Sequence, residues 1–240
     1  HSRSGAATMH TRLLILVLTA LAACSQQSPP PAASTTTAPP TSIDVPAGSY
    51  TVDKAHTSLL VRVNHMGFSH FTARFKRLDA QLQFDPAMLA SSAVTVTIDA
   101  RSLETDYPDL ATLDFNAQLQ GPEWLDAAQH PQITYRSTSV EAIDARRMKI
   151  NGELTLRGVT HPVALDAVFN GGYAGHPMDP HARIGFSAHG TFRRSDFGMS
   201  YGIPEPGTTM GVFDEVEVIV ETEFSGPAWA GAPAAQDGTS

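Results

Sequence analysis

The segment from Arg147 to Phe169 alternates apolar and polar residues with a period of two. Its apolar residues share one parity from Met148 to Leu156, and the alternation resumes from Val163 to Phe169 after a short connection. Gly158 lies in that connection, where it can adopt a positive φ. The pattern predicts a β-hairpin with one apolar face. Because an isolated hairpin is only marginally stable in water, that face has to pack against further strands.

Six further segments repeat the alternation, and each of them is polar on one side only. They are Leu59–Val63, Leu78–Phe84, Val94–Ile98, Ile133–Tyr135, Ile184–Phe192 and Val216–Val220. Eight one-sided antiparallel strands can form either a two-layer sandwich or a closed barrel, and closure is favoured because it removes exposed strand edges. We therefore predict an all-β fold, an eight-stranded antiparallel lipocalin-like barrel.

The interior of such a barrel is either filled by side chains or open enough to hold one small ligand. The apolar parity includes five small residues, Ala80, Gly152, Ala167, Ala188 and Gly190. If they all face inward, they leave volume for a ligand. If they fit between large neighbours, they complete a filled core. The alternation alone leaves both interpretations open.

One stretch, Pro108–Leu119, departs from the alternation. It carries apolar residues, including Leu110 and Leu113, at helical spacing, with a proline at its start and a Gly-Pro pair after it. We predict one short helix that caps an end of the barrel. Trp124 and Leu125 follow, and we expect them to plug the same end, with ligand contact as the alternative.

The first residues have the pattern of an export signal. We predict residues 1–23 to be a signal peptide with an upstream remnant before Met9, because the apolar run from Leu13 to Leu21 is too short to span a bilayer. The run ends in Leu-Ala-Ala-Cys24, which has the pattern of a lipobox, and Cys24 is the only cysteine. We expect Cys24 to be lipidated, as in bacterial lipoproteins.

The predicted domain lies between two segments of low complexity. Residues 24–47 are predicted to be the lipidated cysteine with a disordered linker of Pro, Ser and Thr, and residues 226–240 a flexible tail. We expect this anchor to place the protein on the periplasmic side of the cell envelope. Because Ser25 rather than an aspartate follows Cys24, resemblance to known lipoproteins favours the outer membrane.

Charge and residue spacing argue against several other functions. With 16 Lys and Arg against 24 Asp and Glu, the chain lacks the basic surface that nucleic acids require. Two histidines and Asp179 share the loop from His176 to His181, but two prolines stiffen it and it lacks regular ligand spacing, so no metal site is predicted.

Asp53, His56 and Ser58 are close in sequence, but strand alternation does not assemble them into a relay. We predict no catalytic residue and no cofactor.

Several motifs occur in a fixed order between residues 48 and 225. They are Tyr50–Ser58, Val63–Gly67, Val96–Ser102, Pro131–Thr138, Gly152–Thr160 and Arg194–Gly198. Their order and spacing resemble the YceI-like family, also called polyisoprenoid-binding periplasmic proteins. By this resemblance, residues 48–225 are predicted to form a YceI-like β-barrel domain.

The resemblance implies a long apolar cavity that accepts a polyisoprenoid, such as a polyprenyl phosphate or a quinone tail. The nominated ligand-binding residues are His65, Phe75, Ile98, Tyr135, Leu154, Phe186, Ala188, Phe192 and Val218. His65 is also the first candidate for headgroup contact. The other headgroup candidates are His56, Arg74 and Arg194, with a turn-organising role for His56 and a solvated outer face for the arginines as alternatives.

The segment Asp114–Leu125 departs from the family pattern, since it lacks an Arg-Asp pair and a Leu-x-x-x-x-Phe-Phe run that the family often carries. This departure leaves the choice between prenyl lipid and quinone open. The predicted function is therefore that of a lipoprotein that binds an amphiphilic isoprenoid, with carriage of that ligand left open. The alternatives are a lipid-modifying enzyme on the same scaffold and an envelope interaction or stress lipoprotein without a ligand; homodimerisation is open.

Overall fold

A computed structural model describes residues 44–231 of the chain. The predicted signal peptide, Cys24 and residues 25–43 of the predicted linker lie outside the described residues, as do residues 232–240 of the predicted tail. Within the described range, no helix is both long enough and apolar enough to cross a membrane.

Ten antiparallel strands and one short α-helix form the part of the chain that the structure describes. The strands are β1 (Gly48–His65), β2 (Ser69–Phe75), β3 (Leu78–Phe84), β4 (Ala93–Asp99), β5 (Leu103–Thr105), β6 (Gln132–Ala142), β7 (Arg147–Leu156), β8 (Val159–Tyr173), β9 (His181–Arg193) and β10 (Val212–Ala228). The helix is α1 (Phe115–Gln120), and short 3₁₀ helices span Leu89–Ser91, Ala100–Ser102 and Arg194–Phe197.

The sheet closes into a barrel because its outermost long strands pair. The order around the wall is β1-β3-β4-β6-β7-β8-β9-β10, and β10 pairs with β1. β2 and β3 pair with different halves of β1, so they act as one strand interrupted at Lys76-Arg77. β5 continues β4 in the same way and pairs with β2. The wall therefore has eight strand positions, which confirms the predicted antiparallel barrel.

The β7–β8 hairpin has the geometry that its sequence predicts. Leu156 pairs with Val159, and the two residues between them, Arg157 and Gly158, have φ angles of 52° and 73°. Positive φ at both loop residues is the type I′ turn, whose twist matches that of the strands. The Arg157 guanidinium donates to the carbonyl oxygens of Pro122 and Trp124, and these bonds hold the turn against the helical region.

The helix is shorter than predicted and begins later. It starts at Phe115 rather than Pro108, because the Asp114 carboxylate accepts a hydrogen bond from the Ala117 N–H at 2.9 Å and caps the first turn. The preceding residues form a separate turn in which Asp109 accepts from the Thr112 N–H at 3.1 Å. Leu110 and Leu113, which were expected on the helix, lie outside it and are exposed.

Both predicted limits of the barrel, residues 48 and 225, fall inside the folded structure. Val45 is buried in the core, and the Tyr50 hydroxyl donates to the Pro46 carbonyl oxygen at 2.6 Å. β10 continues to Ala228, and the backbone N–H of Trp229 donates to the Pro180 carbonyl oxygen at 2.8 Å. The sequence placed these residues in the linker and tail because glycine and proline interrupt the alternation.

Aromatic residues fill one end of the barrel. Phe84 stacks on Phe169 with ring centroids 5.8 Å apart, and it meets Phe186 edge to face at 5.5 Å. Tyr50 packs against the same Phe84, and Phe224 against Phe186. We call these five residues the phenylalanine end. α1 lies near β5, where the Asn116 side chain accepts from the Thr105 N–H and hydroxyl at 2.8 Å, and we call that region the helix end.

Candidate functional site

The barrel encloses an apolar cavity of about 710 Å³. Small-molecule sites in proteins typically occupy about 300–1,000 Å³ and are lined mainly by apolar side chains with a few polar groups. Of the residues that line the cavity, His65, Ser69 and Ala93 are exposed, so the lining reaches solvent. Of the two alternatives for the barrel interior, the structure therefore supports the one with space for a ligand rather than the filled core.

Every residue nominated from the sequence to bind the ligand lines this cavity. The set is His65, Phe75, Ile98, Tyr135, Leu154, Phe186, Ala188, Phe192 and Val218. The alternation of the strands predicts their common direction, because residues of one parity on a closed sheet all face inward. These residues span both the phenylalanine end, at Phe186, and the helix end, at His65.

The small residues contribute unequally to the cavity. Ala80, Ala167 and Ala188 line it. A Cβ atom at Gly152 would lie 2.4 Å from the Tyr135 ring, and one at Gly190 would lie 2.6 Å from Leu165. These two glycines therefore admit large neighbouring side chains and do not open volume, which corrects the sequence-based argument for two of its five small residues. The three alanines are the small residues that leave space.

Tyr135 forms part of the cavity wall rather than acting as an acid or a base. Its hydroxyl lies 3.2 Å from the Ile150 carbonyl oxygen and 3.1 Å from that of Val163, and burial raises its pKa to about 12. A phenol with this pKa stays protonated at neutral pH. The ring lies over Gly152 and presents an apolar surface to the cavity.

Arg194 is the buried charge in the cavity lining. Its guanidinium donates to the carbonyl oxygens of Phe213 at 3.0 Å, Met199 at 2.7 Å and Val212 at 2.7 Å, and the residue is 2% exposed. Burial lowers the pKa of Arg194, but an arginine remains protonated in proteins. The guanidinium carbon lies 5.1 Å from the centroid of the Trp124 ring, within the range of a cation–π contact.

The structure places the other two headgroup candidates, His56 and Arg74, on the outer surface. Both are exposed, and neither lines the cavity. His56 Nδ1 lies 3.0 Å from the Asp53 carboxylate, which fits the turn-organising alternative. Arg74 lies on the polar face of β2, where strand alternation directs it outward. These positions remove both residues as contacts for a headgroup held inside the barrel.

The sequence analysis missed four aromatic residues of the lining, which are Phe71, Tyr107, Phe115 and Phe224. Phe71 shares the inward face of β2 with Ala73 and Phe75, and these residues alternate with polar ones, so the signal was present in a strand that was not assigned. Phe115 begins α1 and meets Phe71 edge to face with centroids 5.5 Å apart. No alternation or longer helical pattern marks Phe115, because α1 has only six residues.

The residues Asp53, His56 and Glu223 bring three potential metal ligands within 4.8 Å of one another. The Asp53 carboxylate already accepts from the Arg183 guanidinium, which also donates to Asp179 at 2.7 Å. The hydrogen bond from His56 and then that from Arg183 lower the pKa of Asp53 to about 2. Asp53 likewise raises the pKa of His56. An arginine in this position makes the cluster a network of ion pairs on the outer wall.

Known proteins share both the sequence pattern and the barrel. Residues 50–224 match the family model described as the YceI-like domain. Protein YceI of Escherichia coli O157:H7 is 33% identical over 182 residues, which cover 74% of this chain and 86% of that protein. The crystal structure of Burkholderia cenocepacia BcnA has a TM-score of 0.58 and 26% identity, over 72% of this chain and 98% of BcnA.

A more distant structure has the same fold. A polyisoprenoid binding domain from Saccharophagus degradans has a TM-score of 0.51 and 13% identity, over 76% of this chain and 100% of that domain. At this identity the likeness is one of fold. The family model spans more than half of the chain and the curated relative agrees with it, so the chain belongs to the YceI-like family.

Proposed function

We propose that this YceI-like chain binds an amphiphilic isoprenoid, such as a polyprenyl phosphate or a prenylated quinone, with its hydrocarbon chain inside the barrel. The observation that carries the proposal is the cavity of about 710 Å³, which is apolar along most of its lining. Prenyl chains are flexible hydrocarbons, and a cavity lined by Val, Leu, Ile and Phe binds them without directed bonds.

The expected affinity comes from buried apolar area. At about 25 cal/mol per Å², burying a few hundred Å² of prenyl chain contributes on the order of 5–10 kcal/mol before the cost of immobilising the ligand. The family membership supports the proposal. The Saccharophagus degradans domain, which is described as polyisoprenoid binding, has the same fold.

The location and the transport role are further parts of the proposal. The lipobox at Cys24 would anchor the protein to the outer membrane, facing the periplasm, where a barrel on a linker could carry an isoprenoid between membranes. Cys24→Ala tests the anchor. We expect the wild-type protein to sediment with membranes and the variant to stay in the soluble periplasmic fraction. Equal partition of the two would remove the anchor from the proposal.

Ligand binding is tested by extracting the purified chain with organic solvent and analysing the extract by mass spectrometry. We expect a prenyl lipid or quinone in the wild-type extract. Ala188→Phe places a ring in the cavity and should reduce the recovered ligand. Thr191→Phe adds comparable bulk to an exposed position of the same strand, β9, and should leave the recovery unchanged. Equal recovery from all three proteins, or no prenyl compound from any, would contradict binding inside the barrel.

A further inference from the structure

Trp124 carries an unusual polar group for an apolar cavity. Its side chain lines the cavity, and its indole Nε1 is buried without a hydrogen-bond partner among the residues that the structure describes. A buried donor without a partner costs roughly 1–3 kcal/mol, so natural proteins retain few of them. An acceptor supplied by a ligand would satisfy this N–H.

Arg194 lies against the same indole and also lines the cavity. It donates one hydrogen bond from each of its three nitrogen atoms, and since a guanidinium has five N–H groups, two remain for other acceptors. Arg194 makes no ion pair within the described residues. Its neighbour Asp214 instead accepts from Arg193 at 2.7 Å and from the Ser195 hydroxyl at 2.8 Å.

The position of this pair suits a headgroup rather than a hydrocarbon tail. The Val212 carbonyl that accepts from Arg194 belongs to a residue paired with His65, one of the exposed residues of the lining. The pair therefore lies at the helix end, where the cavity reaches solvent near His65. The opposite end is packed with the rings of Phe84 and Phe186, which offer a ligand apolar surface, and the one exposed lining residue that the structure describes there is the alanine Ala93.

We propose that Trp124 and Arg194 form a headgroup subsite, in which the indole N–H and the guanidinium bind an oxygen acceptor on an isoprenoid whose tail points toward the phenylalanine end. The inference rests on the proposed function and adds the orientation and the polar chemistry of the ligand. A phosphate oxygen and a quinone carbonyl oxygen both supply such an acceptor. Arg194 brings a positive charge that forms no ion pair with a carboxylate in residues 44–231, and this favours the phosphate.

The two tryptophans of the chain provide a direct measurement with an internal control. The ¹⁵N-labelled full chain has two indole N–H resonances, which Trp229→Phe assigns, since Trp229 does not line the cavity. The probes are farnesyl phosphate, a benzoquinone with a farnesyl tail, and farnesene, which has the same chain without oxygen. We expect farnesyl phosphate to shift the Trp124 resonance downfield, farnesene to leave it without that shift, and the Trp229 resonance to stay in place.

Affinities measured by calorimetry complete the test. Trp124→Phe keeps the aromatic ring and removes the N–H, and we expect it to weaken farnesyl phosphate binding about tenfold, as the loss of one hydrogen bond to a charged acceptor predicts. The same substitution should change farnesene binding by less than about twofold, and Trp229→Phe should change neither. A downfield shift with the quinone as well would still support the subsite and would identify the carbonyl as a second acceptor.

Two results would overturn the inference, and they are distinguishable. If farnesyl phosphate binds the wild-type chain and Trp124→Phe equally well and leaves the Trp124 resonance unmoved, the headgroup lies elsewhere and only the subsite fails. If none of the three probes binds, the proposed function fails together with the subsite.

Discussion

Arg194 joins two segments of backbone through one side chain. Its three hydrogen bonds reach Met199, just after a 3₁₀ helix, and Val212 and Phe213 at the start of β10. Buried carbonyl groups that lose their donors cost free energy, and among side chains only the planar guanidinium of arginine has enough N–H donors to reach all three carbonyl groups from three nitrogen atoms. The residue is therefore structural as well as a candidate for ligand contact.

We predict that Arg194→Leu lowers the free energy of unfolding by about 3–5 kcal/mol, because it leaves one buried and two partly buried carbonyl groups without their donor. The neighbouring Arg193→Leu is the matched control. Arg193 is exposed and forms an ion pair at the surface with Asp214, so its loss should cost about 1 kcal/mol or less. Urea denaturation of both variants measures the difference, and equal losses would contradict the structural role of Arg194.

Gly152 offers a second prediction at the residue scale. A Cβ atom there would lie 2.4 Å from the Tyr135 ring and 2.7 Å from the Arg136 carbonyl oxygen, so Gly152→Ala should destabilise the barrel by about 1–3 kcal/mol through overpacking. At Gly185 the nearest atom would be 3.8 Å away, and Gly185→Ala should be tolerated. Thermal denaturation of the two variants distinguishes them. Similar melting temperatures would show that the Tyr135 ring does not require a glycine at position 152.

The lowered pKa of Asp53 predicts that the stability of the fold depends on pH. Its folded pKa of about 2 is lower than the ordinary value of 3.8, so the folded state favours the ionised form. Its contribution to stability is therefore fully present above about pH 4 and is lost as the pH falls toward 2.

Asp53→Asn tests this sign. The wild-type chain should exceed the variant in unfolding free energy by about 1 kcal/mol at pH 6, after allowing for solvent screening, and the difference should shrink between pH 4 and pH 2. Denaturant titrations across that range measure it. A difference that stays constant down to pH 2 would contradict the ion-pair network with His56 and Arg183.

At the scale of elements, most of the strands and the presence of one short helix were predicted, whereas β2, β5 and the start of the helix were not. Alternation with a period of two marks β7 and β8 because one face of each is buried and the other is wet. Between β5 and β6 the chain has no such period. Asp109 and Asp114 can each begin a turn there, and the later start is favoured by the Asp114 cap together with the hydrogen bonds from Thr105 to Asn116.

Asp114→Ala tests the cap of α1. The substitution removes the side-chain acceptor for the Ala117 N–H, and we expect it to destabilise the helix by about 0.5–2 kcal/mol. The exposed Asp106→Ala serves as the control, since Asp106 precedes the helix without capping it. Hydrogen exchange at α1 and at Thr105 should increase in Asp114→Ala alone. Unchanged protection would mean that packing alone fixes the helix.

The closed barrel, the inward residues and the family pattern were all predictable from the sequence of the whole molecule. The open interior was not, because small residues have two outcomes. Gly152 and Gly190 receive neighbouring side chains, whereas Ala80, Ala167 and Ala188 border space. Whether a neighbour fills a gap depends on the register between strands and on rotamers, which composition does not specify. The same limit explains why the exposed His56 and the buried Arg194 were both nominated as headgroup candidates.

The dependence of affinity on prenyl chain length tests the central claim most directly. Calorimetric titration of the full chain with prenyl phosphates of one to six isoprene units keeps the headgroup constant. If the tail lies in the cavity, affinity should rise at least about tenfold with each added unit, since each buries several apolar carbons, and then level off when the cavity is full. Affinity that is independent of chain length would mean that the ligand is held at the surface by its headgroup, and would contradict the account.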